Sequence, residues 1–117
     1  MTERPRLRRG DVVLLPLPFV TDVRRQKVRP AVVVQNDTGN RHSANVIVVP
    51  VSSRLPEHDY PIHHRLPAGT AGLDRPSVVL AGTILTVPQS LIVRQLGRLP
   101  ASDLEAVDRC LRISLDL

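Results

Sequence analysis

The chain has 117 residues, with 16 Lys+Arg against 11 Asp+Glu and a formal net charge of +5 at pH 7. Its only cysteine, Cys110, excludes an internal disulfide and points to a reducing cytosol, and no apolar run approaches the ~20 residues of a membrane helix. A composition of 42% hydrophobic and 23% charged residues suits one globular domain over 1–117, and a pI near 10.9 selects anionic partners, either nucleic acid or an acidic protein.

Residues 1–8 are basic and read as a flexible N-terminal segment rather than a signal peptide. After Gly10, residues 11–17 form a nearly continuous apolar run that predicts a strand, with Pro16 and Pro18 marking its end or an edge position. The charged stretch 21–26 predicts a loop. A second strand is expected over 30–36, where Lys27-Val28-Arg29-Pro30 abuts Ala31-Val32-Val33-Val34. Pro30 forces the preceding Arg29 out of helical geometry into an extended one. The series Asn36-Asp37-Thr38-Gly39-Asn40 predicts a turn, because Asn and Gly tolerate positive φ. A third strand over 45–51 ends in the hydroxyl pair Ser52-Ser53.

Residues 60–66 alternate loosely and predict a fourth strand, at an edge because of Pro61. Two β-rich runs follow, 77–81 and 83–87. The period then changes: Ser102 and Glu105 fit a capping box with Ser102 as N-cap, and Leu104, Val107, Leu111 and Leu115 fall on one face of a helix over 102–115. Many short strands with Gly/Pro punctuation and one terminal helix predict a mainly β protein, a compact barrel or sandwich.

Arg29 leads the candidates for chemistry. Its guanidinium is permanently charged and offers a planar fork suited to phosphate oxygens, the alternative being an ion pair with a carboxylate such as Asp22. A strand beginning with an aimed guanidinium beside one ending in hydroxyls can hold a phosphate between them, although strand-ending serines more often form turns. His63 and His64 are adjacent, so on a strand they face opposite ways. No His or Cys spacing suggests a metal site. His58, between Glu57 and Asp59, is a loop candidate for acid–base work, and Cys110 reads as a core residue of the terminal helix. Phe19 and Tyr60 are the only aromatics. A bound RNA would therefore be held mainly by arginines and backbone groups, with Phe19 either the stacking platform or a core plug.

In order along the chain, Arg9-Gly10-Asp11-Val12-Val13, Pro16-Leu17-Pro18-Phe19 with Thr21-Asp22, and Lys27-x-Arg29-Pro30-Ala31-Val32-Val33-Val34-Gln35 resemble the MazF/PemK family of toxin endoribonucleases of type II toxin–antitoxin modules. The resemblance continues through Pro50-Val51-Ser52-Ser53, Gly72-Leu73, Ser77-Val78-Val79 and Leu96-Gly97-Arg98-Leu99. It implies an SH3-like barrel, a homodimer, and neutralisation by a cognate acidic antitoxin. It also implies cofactor-free, metal-independent cleavage of single-stranded RNA. Arg29 and Ser52 match the family's catalytic arginine and threonine. The flanking Phe19, Thr21, Arg24, Arg25, Lys27, Ser53, Arg54 and His58 would contact RNA.

The chain departs from the family at three points. Serine replaces threonine at position 52 and lacks the methyl that restrains χ1. Arg25 and Gln26 precede Lys27, where Gly and an acidic or small residue are frequent. Leu80 and Gly82 stand where some members carry an Arg and an Asp. The general base stays open among His58, His64 and solvent. Two rival readings remain: a binding module that has lost catalysis, favoured by Leu80 and Gly82, and a gyrase poison of the CcdB type, disfavoured because the chain has no Trp.

Overall fold

The computed structural model describes residues 6–17 and 27–117. Three consecutive strands form its centre. β1 (Asp11–Leu17) pairs antiparallel with β2 (Lys27–Val33) from Val12↔Val32 to Leu17↔Lys27. β2 in turn pairs with β3 (Asn45–Ser52), but only at Ala31↔Pro50, Val32↔Val49 and Val33↔Val48. Because side chains alternate across a strand, these apolar runs feed two separate cores. Val13, Leu15, Leu17, Ala31, Val33, Val46 and Val48 pack on one face. Val12, Val32, Val49 and Val51 pack on the other, against Val79, Leu66, Leu73, Leu99 and Val107.

The remaining strands are β4 (His63–Leu66), β5 (Ser77–Leu80), β6 (Leu85–Pro88) and β7 (Arg94–Arg98). The order across the sheet is β4-β5-β3-β2-β1-β7, with β6 also on β3. One edge of β3 is shared: residues 45–48 pair with β6, whereas Val51 and Ser52 pair with Val79 and Val78 of β5. The chain turns sharply between β5 and β6, so the sheet curls into a half-barrel. The C-terminal helix α2 (Ala101–Leu115) covers the second core through Val107, Leu104 and Leu111. This is the mainly β barrel-like fold with a terminal helix expected from the sequence, and β4 lies at the sheet edge as anticipated.

Four expectations need correction. Residues 37–42 form a short helix, α1 (Asp37–His42), instead of a plain turn: the Asn36 side chain accepts the Gly39 N–H at 2.7 Å and caps it. The N-cap of α2 is Pro100, not Ser102. The Pro100 carbonyl accepts the N–H groups of Asp103 and Leu104, both at 3.0 Å, and no side chain caps this end. Leu115 is 52% exposed, so the apolar face of α2 ends at Leu111, with Ala106 and Cys110 buried beside it. Leu7 is buried in the first core, so the N-terminal segment is anchored from that residue onward.

Candidate active site

The candidate site lies where β2 and β3 part. Carrying the β2–β3 register two pairs beyond Ala31↔Pro50 would set Arg29 opposite Ser52, but the ladder stops first. The cause is local: Pro30 and Pro50 have no N–H to donate to a ladder. The gap is an open cleft of roughly 380 Å³, lined on one side by Lys27, Val28, Arg29 and Pro30 and on the other by Val51 and Ser53. Leu73, Asp74, Arg75 and Ser77 line the rest. Three cations thus face one carboxylate, and the cleft carries net positive charge. Arg29 is half-buried, with its Cα paired to Leu15 of β1, so its head group rises from an ordered strand.

Arg75 was missed in the sequence because an isolated loop arginine carries no pattern. Its backbone is held locally: the Ser77 hydroxyl donates to the Arg75 carbonyl at 2.9 Å. The segment reaches the cleft through a close approach at glycine. A Cβ on Gly97 of β7 would lie 2.6 Å from the Ala71 carbonyl carbon, and Gly72 takes φ +80°, a region that favours glycine. The 3-10 turn Thr70–Gly72 therefore sits tight on β7, and Leu73, Asp74 and Arg75 extend from it. These are the same Gly72-Leu73 and Leu96-Gly97 pairs that stand out in the sequence.

Among the other sequence candidates, Lys27, Arg29 and Ser53 come together in the cleft. Ser52 stands beside it at the end of β3, half-buried, and its Oγ accepts the Arg54 N–H at 3.1 Å. That turn-forming bond leaves the hydroxyl proton available to donate. Arg54 and His58 are exposed on the following loop and do not line the cleft. Phe19, Thr21, Arg24 and Arg25 lie outside the described residues, as does Asp22.

His63 and His64 take up packing positions. His64 Nε2 is 2.9 Å from Asp103 Oδ1 and ties β4 to α2. His63 makes an edge contact with Tyr60, with ring centroids 5.3 Å apart. Its Cα is paired with Leu80 of β5. Burial pushes the Cys110 thiol pKa up, which suits a core role rather than a reactive one. Among the described residues no three His, Cys, Asp or Glu side chains gather as a metal site.

The fold and cleft define a small basic β half-barrel with a cation-lined cleft between two parting strands. The chain belongs to the family of PemK-like, MazF-like toxins of type II toxin–antitoxin systems, which it matches over residues 8–115. Among solved structures, it is similar to an endoribonuclease in complex with its cognate antitoxin from a Mycobacterial species. That likeness has 22% identity and a TM-score of 0.79, covering 95% of this chain and 96% of that one. The Mycobacterium tuberculosis toxin MazF-mt6 is similar at 24% identity and a TM-score of 0.76, over 92% and 97% of the two chains. The MazE–MazF structure from Deinococcus radiodurans is similar at 26% identity and a TM-score of 0.77, over 96% and 97%.

Proposed function

We propose that this toxin is a metal-independent endoribonuclease that cleaves single-stranded RNA. The observation that supports it most is the cleft itself: Arg29, half-buried on an ordered strand, lines with Lys27, Arg75 and Ser53 a gap of roughly 380 Å³. Cleavage without a metal has the ribose 2′-oxygen attack the adjacent phosphorus in line, while the bond to the 5′-oxygen breaks. The products are a 2′,3′-cyclic phosphate and a free 5′-hydroxyl. The reaction needs charge stabilisation on the phosphoryl oxygens, positioning, and proton transfer at the two reacting oxygens.

Arg29 serves the first need as an electrostatic clamp. A permanently charged guanidinium is unsuited to shuttling protons. Ser52 donates a hydrogen bond to the phosphate, and Lys27, Ser53, Arg54 and His58 hold the strand on either side, together with Phe19, Thr21, Arg24 and Arg25. His64 is engaged with Asp103, which leaves His58 or solvent as the general base.

The protein acts in the cytoplasm and is neutralised by a cognate acidic antitoxin; a Mycobacterial relative of the same fold was solved with its antitoxin. It works as a homodimer, a reading supported by exposed apolar side chains at Val28 beside the cleft and at Ile113 and Leu115 on α2. The deciding experiment incubates the purified protein with a long single-stranded RNA in EDTA. Fragments ending in 2′,3′-cyclic phosphate, lost in a folded Arg29→Ala variant, are expected. Wild-type-like cleavage by that variant would sink the role of Arg29. A second reading, a binding module without catalysis, is favoured by Leu80 and Gly82, which carry no group for acid–base or phosphate chemistry. It predicts intact RNA with retained binding.

A further inference from the structure

A second cationic cavity lies at the opposite end of the β2–β3 pair. It measures roughly 350 Å³ and is lined by Arg6, Leu7, Arg8, Asp37, Asn40, Arg41 and Gln89. It shares no residue with the cleft. The seven steps along β3 from Asn45, beside this cavity, to Ser52, beside the cleft, span about 23 Å.

The local sequence explains the arrangement. Leu7 is driven into the core, so in this non-helical segment its neighbours Arg6 and Arg8 are left on the outer side, both exposed. Arg41 reaches the same cavity from the last turn of α1. Among the described residues, none of these three guanidinium groups makes a hydrogen bond or ion pair.

The single carboxylate in the lining is already committed. Asp37 Oδ1 accepts the Arg9 N–H at 2.8 Å and the Asn40 Nδ2–H at 3.2 Å. The cavity thus holds three uncommitted cations against one occupied anion. Its floor is rigid: Gln89 Nε2 donates to the carbonyls of Asn40 at 3.0 Å and Ser43 at 2.9 Å.

We propose that this cavity is a second phosphate-binding site, which grips the backbone of the RNA strand away from the cleft. This rests on the endoribonuclease reading above. The observations favour RNA over an acidic protein because, among the described residues, no aromatic side chain lines the cavity and its one aliphatic residue, Leu7, is buried. Protein interfaces draw their energy from desolvated apolar and aromatic anchors. A site of arginine forks alone recognises phosphate charge and is indifferent to base sequence. It therefore adds affinity and reach to a cleft that supplies the chemistry.

The test uses Arg29→Ala as background, so that RNA stays intact, and adds Arg6→Ala, Arg8→Ala and Arg41→Ala together. Binding is measured against salt concentration for a short oligonucleotide that fills only the cleft and for one at least three times longer. The triple replacement should lower the salt slope for the long strand by about 2, from ~0.7 per lost phosphate contact, and leave the short strand unchanged. Single Arg41→Ala, exposed on α1, reports the same change at about a third of the size if the triple variant is unstable. Unchanged long-strand binding overturns the proposal. So does equal weakening of both strands, which would mean a general charge effect. Loss of binding to a polyglutamate peptide with RNA affinity intact reassigns the cavity to an acidic protein. Absence of any RNA binding by the folded Arg29→Ala parent and by wild type would instead defeat the endoribonuclease reading itself, and this site with it.

Discussion

The two ends of the β2–β3 pair are built on opposite principles. At the end near α1 the polar groups are buried and mutually satisfied. Gln35 Nε2 donates to Asn40 Oδ1 and to the Asn45 carbonyl, Asn40 Nδ2 donates back to the Gln35 carbonyl, and Gln89 bonds the carbonyls of Asn40, Ser43 and Asn45. At the other end the strands separate, and Lys27, Arg29 and Arg75 face an open cleft. A closed amide network fixes register and rigidifies. Like charges gathered around a gap do the reverse, and they are tolerated because the far end anchors the strands. Buried order and an open cleft are thus divided along one strand pair.

Four perturbations sharpen or break this division. The largest effect should come from Arg29→Ala, which is expected to reduce RNA cleavage about 10³-fold with the melting temperature unchanged. A parallel drop in melting temperature would show that the cleft end also carries stability. Ser52→Ala should lower cleavage by about 10²-fold or less if the hydroxyl donates one hydrogen bond. Ser52→Thr, which restricts χ1, should raise the rate, and a fall on single-turnover assay would refute the aim assigned to this hydroxyl.

At the far end, Gln89→Ala should cost about 2 kcal/mol of unfolding free energy, because buried carbonyls lose their donor. Urea denaturation measures that loss, and the cleavage rate of the folded fraction should not change. The smallest effect is on acid stability. The Arg9 N–H and the Asn40 side chain hold the Asp37 carboxyl below the ordinary carboxylate range. Its contribution is therefore present above the unfolded value of about 3.9 and is lost as pH falls through the lower folded value. Asp37→Asn should accordingly flatten the stability loss on acidification below about pH 4. An unchanged acid limb would mean that Asp37 contributes through geometry alone.

What the sequence revealed follows the same division. β1 was legible to the residue because a continuous apolar run follows Gly10, whose φ of +95° suits glycine. Arg29 was legible because proline restricts the residue before it. The helix α1 was not, since Asn, Asp and Gly signal a turn and a helix start with the same chemistry: a short side chain accepting a nearby N–H. The capping box at Ser102 was misleading because Pro100 already orients its carbonyl toward two N–H groups. The cleft was legible in part: the start of the Arg29 strand beside strand-ending hydroxyls pointed to it, whereas Arg75, arriving from a loop, carried no signal. The cavity of Arg6, Arg8 and Arg41 was hidden because Arg41 lies more than 30 positions from the other two and only the fold brings them together.

The prolines of the central strands carry one more consequence. Pro16, Pro30 and Pro50 all fall toward the cleft end of β1, β2 and β3, where none has an amide proton to exchange with solvent. The sheet there is sewn with fewer cross-strand stitches than at the α1 end. Deuterium uptake should therefore fall in a gradient along β3 from Ser52 toward Val46, with the slowest amides beside the glutamine–asparagine network. The toxin would loosen first at the cleft end and keep its shape from the end beside α1.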